Sequence, residues 1–124
     1  MNFSERVFAV CRAIPWGKVT SYGQIALWCG SPGRARHVGY VLGRCQPEKG
    51  EEVPAHRVVN SQGYLSGAAA FPTADTQRRL LESEGVAVSD SQRVDLRKYG
   101  WFPPEREIEA LRRLFQGGEN IKEE

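Results

Sequence analysis

The sequence predicts a mainly α-helical domain of the winged helix-turn-helix class, and three observations support this fold. Apolar residues recur at helical spacing in several short segments that begin at capping residues. A glycine-containing break at residues 30–33 separates two of the short helices, which is typical of a helix-turn-helix. Residues 58–60 and 64–65 flank the turn 61–63 in the pattern of a small β-hairpin, which would form the wing.

The first helix is predicted over about residues 3–14. Asn2 and Glu5 have the spacing of a capping box at its beginning, and Pro15 ends it because proline cannot continue a helix. The apolar residues that follow the helical spacing are Phe3, Val7, Val10, Cys11 and Ile14. This pattern predicts an amphipathic helix with one buried face.

The helix-turn-helix is predicted over residues 21–44. Ser21 and Gln24 form a second possible capping box, which begins a short helix. A second helix is expected at about residues 34–44, with an apolar face made of Val38, Val41 and Leu42. The second helix of this motif enters a groove of DNA with its N-terminal residues foremost. The expected DNA contacts of this helix are therefore Arg34, Arg36 and His37.

Two more helices are predicted in the second half of the chain. The first is capped by Thr73 or Asp75 and ended by Gly85, and its periodic residues are Leu80, Leu81 and Glu84. The second follows Pro103 and Pro104 and contains Ile108, Leu111 and Leu114. We expect a polar loop at 48–52 and a frayed tail at 117–124. The predicted organisation is one DNA-binding domain at 1–102, followed by a C-terminal helix and flexible tail at 103–124.

The composition limits the class of protein and its location. A chain of 124 residues with 40% hydrophobic content fits one globular domain. Residues 1–14 contain no uninterrupted apolar stretch, so we expect neither a signal peptide nor contact with a membrane. The expected location is the cytoplasm. Three cysteines without a Cys-x-x-Cys pair, together with two histidines, argue against a disulfide framework and a zinc site. No metal and no cofactor is expected.

The charge is uneven along the chain although its net value is +2. Residues 1–45 carry six basic side chains against Glu5 alone, a local charge of +5. Residues 102–124 carry four basic and six acidic side chains. A basic first half indicates a polyanionic partner, with a solvated basic face as the alternative.

Residues 54–59 read Pro-Ala-His-Arg-Val-Val. They resemble the active-site motif Pro-Cys-His-Arg-Val-Val of the alkylguanine-DNA alkyltransferases, with Ala55 in the position of the cysteine. Residues 14–26 resemble the family's segment before its helix-turn-helix, and residues 35–39 resemble its recognition helix. The resemblance covers about residues 3–85. Residues 95–101 are similar to the tail of the short alkyltransferase-like proteins, which bind O6-alkylguanine without accepting the alkyl group. We therefore expect no counterpart of the transferases' usual N-terminal domain.

The resemblance implies a role for individual residues in DNA binding. Arg36 matches the family's finger, which fills the space of the extruded base, and Tyr22 matches the tyrosine that rotates the nucleotide outward. Thr20 and Ser21 are expected to hydrogen-bond phosphates. The lesion pocket is expected to be formed by Tyr22, Pro54, Ala55, Val58, Ser61, Leu65 and Ser66.

The resemblance also implies a vestigial catalytic site. Ala55 supplies no nucleophile, whereas His56 and Glu84 match the family's histidine and the glutamate that orients it. A buried histidine bonded to Glu84 for purely structural reasons is the alternative, and Arg57 is expected to support the local loop. Leu65 falls near the family's pocket tyrosine, and Cys45 takes the place of an asparagine, so both depart from the transferase pattern.

The function that this resemblance implies is a non-enzymatic DNA-damage sensor. It would bind O6-alkylguanine lesions in double-stranded DNA as a monomer, by nucleotide flipping, and direct them to nucleotide excision repair proteins. One alternative is an alkyltransferase in which another cysteine, Cys11, Cys29 or Cys45, accepts the alkyl group. The other is a winged-helix transcription regulator. Neither Asn nor Gln, the usual adenine-reading side chains, occurs in residues 34–44, which argues against the regulator.

Overall fold

The computed structural model describes residues 1–44 and 53–123. Its elements in chain order are α1 (Phe3–Ala13), β1 (Thr20–Ser21), α2 (Tyr22–Trp28), α3 (Ala35–Gly43), a 3-10 turn (Ala55–Arg57), β2 (Val58–Val59), a second 3-10 turn (Ala68–Ala70), α4 (Thr76–Ser83), α5 (Leu96–Tyr99) and α6 (Glu105–Glu123). The mainly helical fold is confirmed. Cys45 and the polar loop predicted at 48–52 lie outside the described residues.

The capping box of α1 is confirmed. The Asn2 side chain accepts the Glu5 backbone N–H at 2.8 Å, and the Glu5 carboxylate accepts the Asn2 backbone N–H at 2.9 Å. Two donors that a helix beginning leaves without partners are thereby satisfied. The buried face of α1 consists of Val7, Val10 and Cys11.

Helices α2 and α3 pack against each other and against α1, as a helix-turn-helix requires. Ser21 begins α2, and its hydroxyl accepts the Gln24 backbone N–H at 3.2 Å. In the break between the two helices, Gly30 and Gly33 have φ of +84° and +91°. These left-handed values favour glycine and reverse the chain within a few residues. The break therefore lets α3 pack back against α2.

The predicted pairing of the β-hairpin is wrong. Residue Val59 is paired with Ser21 and Val58 with Thr20, so β2 lies parallel to β1 rather than antiparallel to residues 64–65. Both valines are fully buried, and a strand buried on both faces does not show the alternating pattern of a half-exposed hairpin. Residues 60–64 do form a tight turn, which is closed by a hydrogen bond from the Asn60 N–H to the Tyr64 carbonyl at 3.0 Å. Beyond this turn, however, Tyr64 is bridged to Arg93.

The buried residues form two clusters. The first is centred on the three N-terminal helices, and the second joins β1 and β2 to α4 and the segment 86–94. Helix α4 follows Asp75 and ends before Gly85, whose φ is +83°, as predicted. Because Leu81 is fully buried, α4 is fixed behind the 54–57 segment.

Helix α6 is longer than predicted, since it continues to Glu123 through residues that were expected to fray. Its Phe115 is 3% exposed and belongs to the first cluster, with Ile108 and Leu111 packed beside it. Burying one such aromatic side chain stabilises a fold by about 2–3 kcal/mol. The division of the chain at residue 103 stays a prediction. None of the helices in the described ranges is long and apolar enough to cross a membrane.

Candidate nucleic-acid interface

Glu84, at the end of α4, is the centre of a hydrogen-bond network behind the 54–57 segment. Its Oε2 accepts from His56 Nε2 at 2.7 Å and from Arg57 Nη2 at 2.8 Å. Its Oε1 accepts from Arg57 Nε at 2.9 Å and from the Gly17 backbone N–H at 3.0 Å. Arg57 also donates Nη1 to the Ile14 carbonyl at 2.9 Å, which ties the network to the end of α1. Residues distant in sequence are thus held around one carboxylate.

The network keeps Glu84 ionised. Burial raises the pKa of this carboxyl group, but hydrogen bonds from Arg57, Gly17 and His56 outweigh burial and hold the pKa at about 2. A carboxylate can accept hydrogen bonds but not donate them, so His56 Nε2 carries the proton in the contact with Glu84. The hydrogen bond to Glu84 therefore fixes the orientation of the His56 ring through Nε2. Nδ1 is the ring nitrogen that this bond does not use.

Two cavities lie in front of this network. The first cavity, of about 620 Å³, is lined by Tyr22, Gly39, Leu42, Gly43, Val53, Ala55, His56, Gly67, Ala70, Phe71, Pro72, Thr76 and Leu80. The second cavity, of about 500 Å³, is lined by Tyr22, Gly23, Ala35, Arg36, Gly39, Asn60, Ser61, Ser66 and Gly67. The two share Tyr22, Gly39 and Gly67, so they meet at the tyrosine ring. A volume near 600 Å³ lies within the range of about 300–1,000 Å³ typical of small-ligand sites.

Tyr22 lines both cavities, and Gly67 leaves room for its hydroxyl. A Cβ added at Gly39 would contact the Tyr22 ring at 3.7 Å, and a Cβ at Gly67 would overlap the Tyr22 hydroxyl. Burial raises the pKa of Tyr22, and a side-chain hydrogen bond with Ser66 partly offsets this. The phenol therefore stays neutral and can donate a hydrogen bond.

The structure brings several of the predicted site residues together. Ala55 and His56 line the first cavity, and Ser61 and Ser66 line the second. Tyr22 belongs to both. Pro54 precedes the 3-10 turn that carries Ala55 and lines neither cavity.

The basic residues of α3 divide into two groups. Arg36 is exposed and lines the second cavity. Arg34 lies over the Phe3 ring, 4.4 Å from its centre, and the ring of His37 lies 5.0 Å from that of Phe3. Only Arg36 of these three predicted DNA contacts therefore lies at the described cavities.

Four predicted site residues are buried and line neither cavity, namely Val58, Leu65, Thr20 and Ser21. Val58 is fully buried in the first core cluster, and Leu65, 6% exposed, belongs to the second cluster with Val19 and Leu81, so neither lines the pocket. Thr20 is 1% exposed in β1, which leaves its hydroxyl out of reach of a phosphate. Ser21 is 7% exposed, and its hydroxyl oxygen caps α2. The strand pairing of β1 with β2 is the cause, since it turns this segment toward the interior.

Sequence reasoning missed much of the wall of the first cavity. The residues not predicted are Gly39, Leu42, Gly43, Val53, Ala70, Phe71, Pro72, Thr76 and Leu80. Thr76 and Leu80 are four residues apart, so helical spacing places them on one face of α4. The helical spacing of these two residues could be read from the sequence. The burial of Leu81, however, does not show that the adjacent Leu80 lines a cavity.

The chain matches the model of a protein family over residues 2–86, described as the 6-O-methylguanine DNA methyltransferase DNA-binding domain. A DNA base-flipping protein of Vibrio parahaemolyticus serotype O3:K6 is 48% identical over 102 residues, which are 82% of this chain and 98% of that protein. Alkyltransferase-like protein 1 of Schizosaccharomyces pombe is 39% identical over 107 residues, with 82% and 96% covered. The chain belongs to the alkyltransferase-like proteins of this family.

A solved structure extends the similarity to the fold. The crystal structure of S. pombe Atl1 in complex with damaged DNA containing O6-carboxymethylguanine superposes with a TM-score of 0.72 at 36% sequence identity. The match covers 82% of this chain and 95% of that one. The alkyltransferase-like domain in this chain therefore carries its cavities and Arg36 on the same scaffold.

Proposed function

We propose that this alkyltransferase-like protein is a non-enzymatic sensor of O6-alkylguanine in double-stranded DNA. It rotates the alkylated nucleotide out of the duplex, holds it in the first cavity, and directs the site to nucleotide excision repair proteins. It acts in the cytoplasm, on nucleoid DNA, as a monomer and without a cofactor. The observation that carries the proposal is the first cavity, whose wall contains Ala55 and His56 and which meets the second cavity with Arg36 at Tyr22.

Nucleotide flipping is supported by the arrangement of the two cavities. Extruding a base costs a few kcal/mol in lost stacking and pairing, and the damaged or mispaired base costs least. The first cavity offers the extruded base an apolar site, and Arg36 beside Tyr22 is placed to fill the space that the base leaves. Relatives named DNA base-flipping protein, and the Atl1 complex with damaged DNA, support the same function.

The absence of alkyl transfer is supported by the side chain at position 55. The resemblance places the transferases' nucleophilic cysteine there, and the methyl group of Ala55 cannot attack an alkyl carbon. His56 and Glu84 remain paired, at 2.7 Å between Nε2 and Oε2, but they have no thiol to act on at position 55.

Two of the three alternative acceptors, Cys11 and Cys29, are poorly placed, and the third, Cys45, lies outside the described residues. Cys11 is fully buried and Cys29 is 2% exposed, and neither lines either cavity. Burial raises the pKa of Cys29 to about 11, although Arg6 lowers it in part, so its thiol stays protonated at neutral pH. Because the thiolate is the reactive form, these cysteines are inert toward an alkylated base.

A sequence-reading regulator is disfavoured by the face that α3 turns to the cavities. Gly39 and Gly43 line the first cavity, and glycine has no side chain with which to read a base edge. These two glycines open space, which suits a protein that receives a nucleotide rather than one that reads a groove.

Fluorescence anisotropy with three 15–20 base-pair duplexes tests the proposal, carrying guanine, O6-methylguanine or O6-benzylguanine at one position. We expect roughly tenfold or tighter binding to the alkylated duplexes. A 2-aminopurine placed opposite the lesion should gain fluorescence when its partner is extruded. Equal affinity for all three duplexes would overturn the proposal.

A cavity-filling variant tests whether the first cavity carries the selectivity. Gly43→Leu places a side chain into it, because a Cβ at Gly43 has ordinary contact with Ala70 at 3.9 Å. We expect loss of lesion preference with unchanged affinity for unmodified duplex. Glu109→Leu on α6 is the control, since it adds the same side chain at an exposed position outside both cavities.

The link to repair requires a separate measurement. In a reconstituted nucleotide excision reaction, adding the protein should increase incision of an O6-alkylguanine duplex and not of an unmodified one. The Gly43→Leu variant should give no increase. Unchanged incision with the unaltered protein would contradict the repair link while leaving lesion binding intact.

A further inference from the structure

We infer that the first cavity selects O6-substituents by charge, binding neutral apolar groups more tightly than anionic groups of similar size. The inference rests on the proposed function, because it concerns the part of the flipped nucleotide that lies beyond the base. It follows from which residues line each end of the cavity and from the chemistry of their side chains.

The direction in which the nucleotide enters is set by the shared wall. Tyr22, Gly39 and Gly67 line both cavities, so the extruded base passes between them from the side of Arg36. The rest of the wall, which we call the far end, is lined by residues that belong to the first cavity alone. They are Leu42, Gly43, Val53, Ala55, His56, Ala70, Phe71, Pro72, Thr76 and Leu80. The O6-substituent extends into this end, beside the methyl group of Ala55.

The far end of the first cavity is apolar. Its side chains that carry polar atoms are the imidazole of His56 and the hydroxyl of Thr76. The residues that line it within the described part of the chain include neither lysine nor arginine. An alkyl or arylmethyl group gains from burial against Leu42, Phe71 and Leu80, whereas a carboxylate finds no lysine or arginine to pair with among these described residues.

The nearest charges make the site less favourable for an anion. His56 Nε2 donates to Glu84, which is ionised because its pKa is held at about 2. The Arg57 guanidinium is bound on the far side of that carboxylate and to the Ile14 carbonyl. It is thus neutralised by Glu84 rather than directed at the cavity. The paired charges therefore offer no cation to a negative group entering beside His56, which makes the site less favourable than one with a free guanidinium.

The size of the effect follows from the cost of an unpaired charge in an apolar site. A buried carboxylate without a cation or several hydrogen bonds costs more than one factor of ten in affinity relative to a neutral group of the same shape. We therefore expect an O6-propylguanine duplex to bind roughly tenfold or more tightly than an O6-carboxymethylguanine duplex. The two substituents have similar length, so size does not account for the difference.

The test compares three duplexes by fluorescence anisotropy at one salt concentration, with guanine, O6-propylguanine or O6-carboxymethylguanine at the same position. S. pombe Atl1, whose crystal structure contains DNA with O6-carboxymethylguanine, is the positive control for the third duplex. The ratio of the propyl and carboxymethyl dissociation constants is the measured quantity. A change in general DNA affinity alters both dissociation constants by the same factor and therefore does not change this ratio.

Leu80→Arg supplies the missing cation. Leu80 lines the far end and is 40% exposed at the surface of α4, so an arginine fits there without disturbing the core. We expect the carboxymethyl duplex to gain roughly tenfold and the ratio to approach one. Leu114→Arg is the matched control, because Leu114 is 57% exposed on α6 and lines neither cavity. It should leave the ratio unchanged.

Two results would overturn the inference. One is equal affinity of the unaltered protein for the propyl and carboxymethyl duplexes when both bind more tightly than guanine. The other is a ratio that Leu80→Arg does not lower, which would show that the discrimination does not arise from the missing cation. Affinity for both alkylated duplexes no higher than for guanine would instead contradict the proposed sensor function itself.

Discussion

Replacing Glu84 with glutamine should destabilise the protein by about 3 kcal/mol at pH 7. The pKa of Glu84 is lowered from 4.5 to about 2, and each unit corresponds to about 1.4 kcal/mol of preferential stabilisation of the charged form. Glu84 is 8% exposed, so solvent screens its contacts with Arg57, His56 and Gly17 only weakly. Glutamine keeps one acceptor oxygen but removes the charge and places an amide against groups that donate.

The effect should depend on pH in one direction. A carboxyl group whose pKa is lower in the folded than in the unfolded protein contributes its full stabilisation above pH 4.5, and the contribution is lost as pH falls toward 2. The difference between the unaltered protein and Glu84→Gln should therefore be constant from pH 8 to 5. It should shrink between pH 4.5 and 2, where protonated glutamic acid resembles glutamine.

Urea unfolding followed by circular dichroism measures this difference at each pH. For a domain of this size, 3 kcal/mol corresponds to a fall in Tm of roughly 10 °C at pH 7. Glu82→Gln is the control in the same helix, because Glu82 is 46% exposed and makes one ion pair, with Arg78 at 3.4 Å. It should change stability by less than about 0.5 kcal/mol. A difference between Glu84→Gln and the unaltered protein that stays constant down to pH 2 would refute the reasoning.

Three substitutions test the interface. Arg36→Ala should reduce affinity for an O6-alkylguanine duplex roughly tenfold and affinity for unmodified DNA much less, because a side chain that replaces an extruded base acts only once the base is out; dissociation constants at two salt concentrations measure this. Gly67→Ala should also reduce lesion affinity, since its Cβ would overlap the Tyr22 hydroxyl, and the same titration measures it. Ala55→Cys should show slow single-turnover transfer, detected by mass spectrometry as a gain of one alkyl group, because the thiol would lie beside His56.

Each of these predictions has a matched control. A simple phosphate contact at Arg36 would weaken both duplexes alike and lower the salt slope by about one, and Arg113→Ala, 78% exposed on α6, should affect neither duplex selectively. For Gly67→Ala the control is the same substitution combined with Tyr22→Phe, which removes the hydroxyl that the added Cβ would overlap and should reduce the effect of Gly67→Ala. A mass gain that persists when His56→Ala accompanies Ala55→Cys would show that the histidine does not activate the thiol.

The candidate site could be predicted from the sequence where function depends on a local motif. The Pro-Ala-His-Arg run and Tyr22 were predicted to lie at one site, and the structure places Ala55, His56 and Tyr22 around one cavity. Val58 and Leu65 were assigned to the pocket from their positions near that motif. Val58 is buried because β2 pairs with β1 inside the core, and Leu65 is buried against Val19 and Leu81 in the second cluster.

The sequence by itself determined the caps that begin α1 and α2 and the glycine that ends α4, because these depend on contacts within four residues, whereas α6 continues beyond its predicted end. The capping box of Asn2 and Glu5 and the turn at Gly85 are of this kind. The tertiary structure decided which distant residues meet. Gly17 and Glu84 are 67 residues apart and Arg57 and Ile14 are 43 apart, yet each pair is hydrogen-bonded. No local pattern encodes such a contact, since it exists only after α1, the 54–57 segment and α4 have packed on a common core.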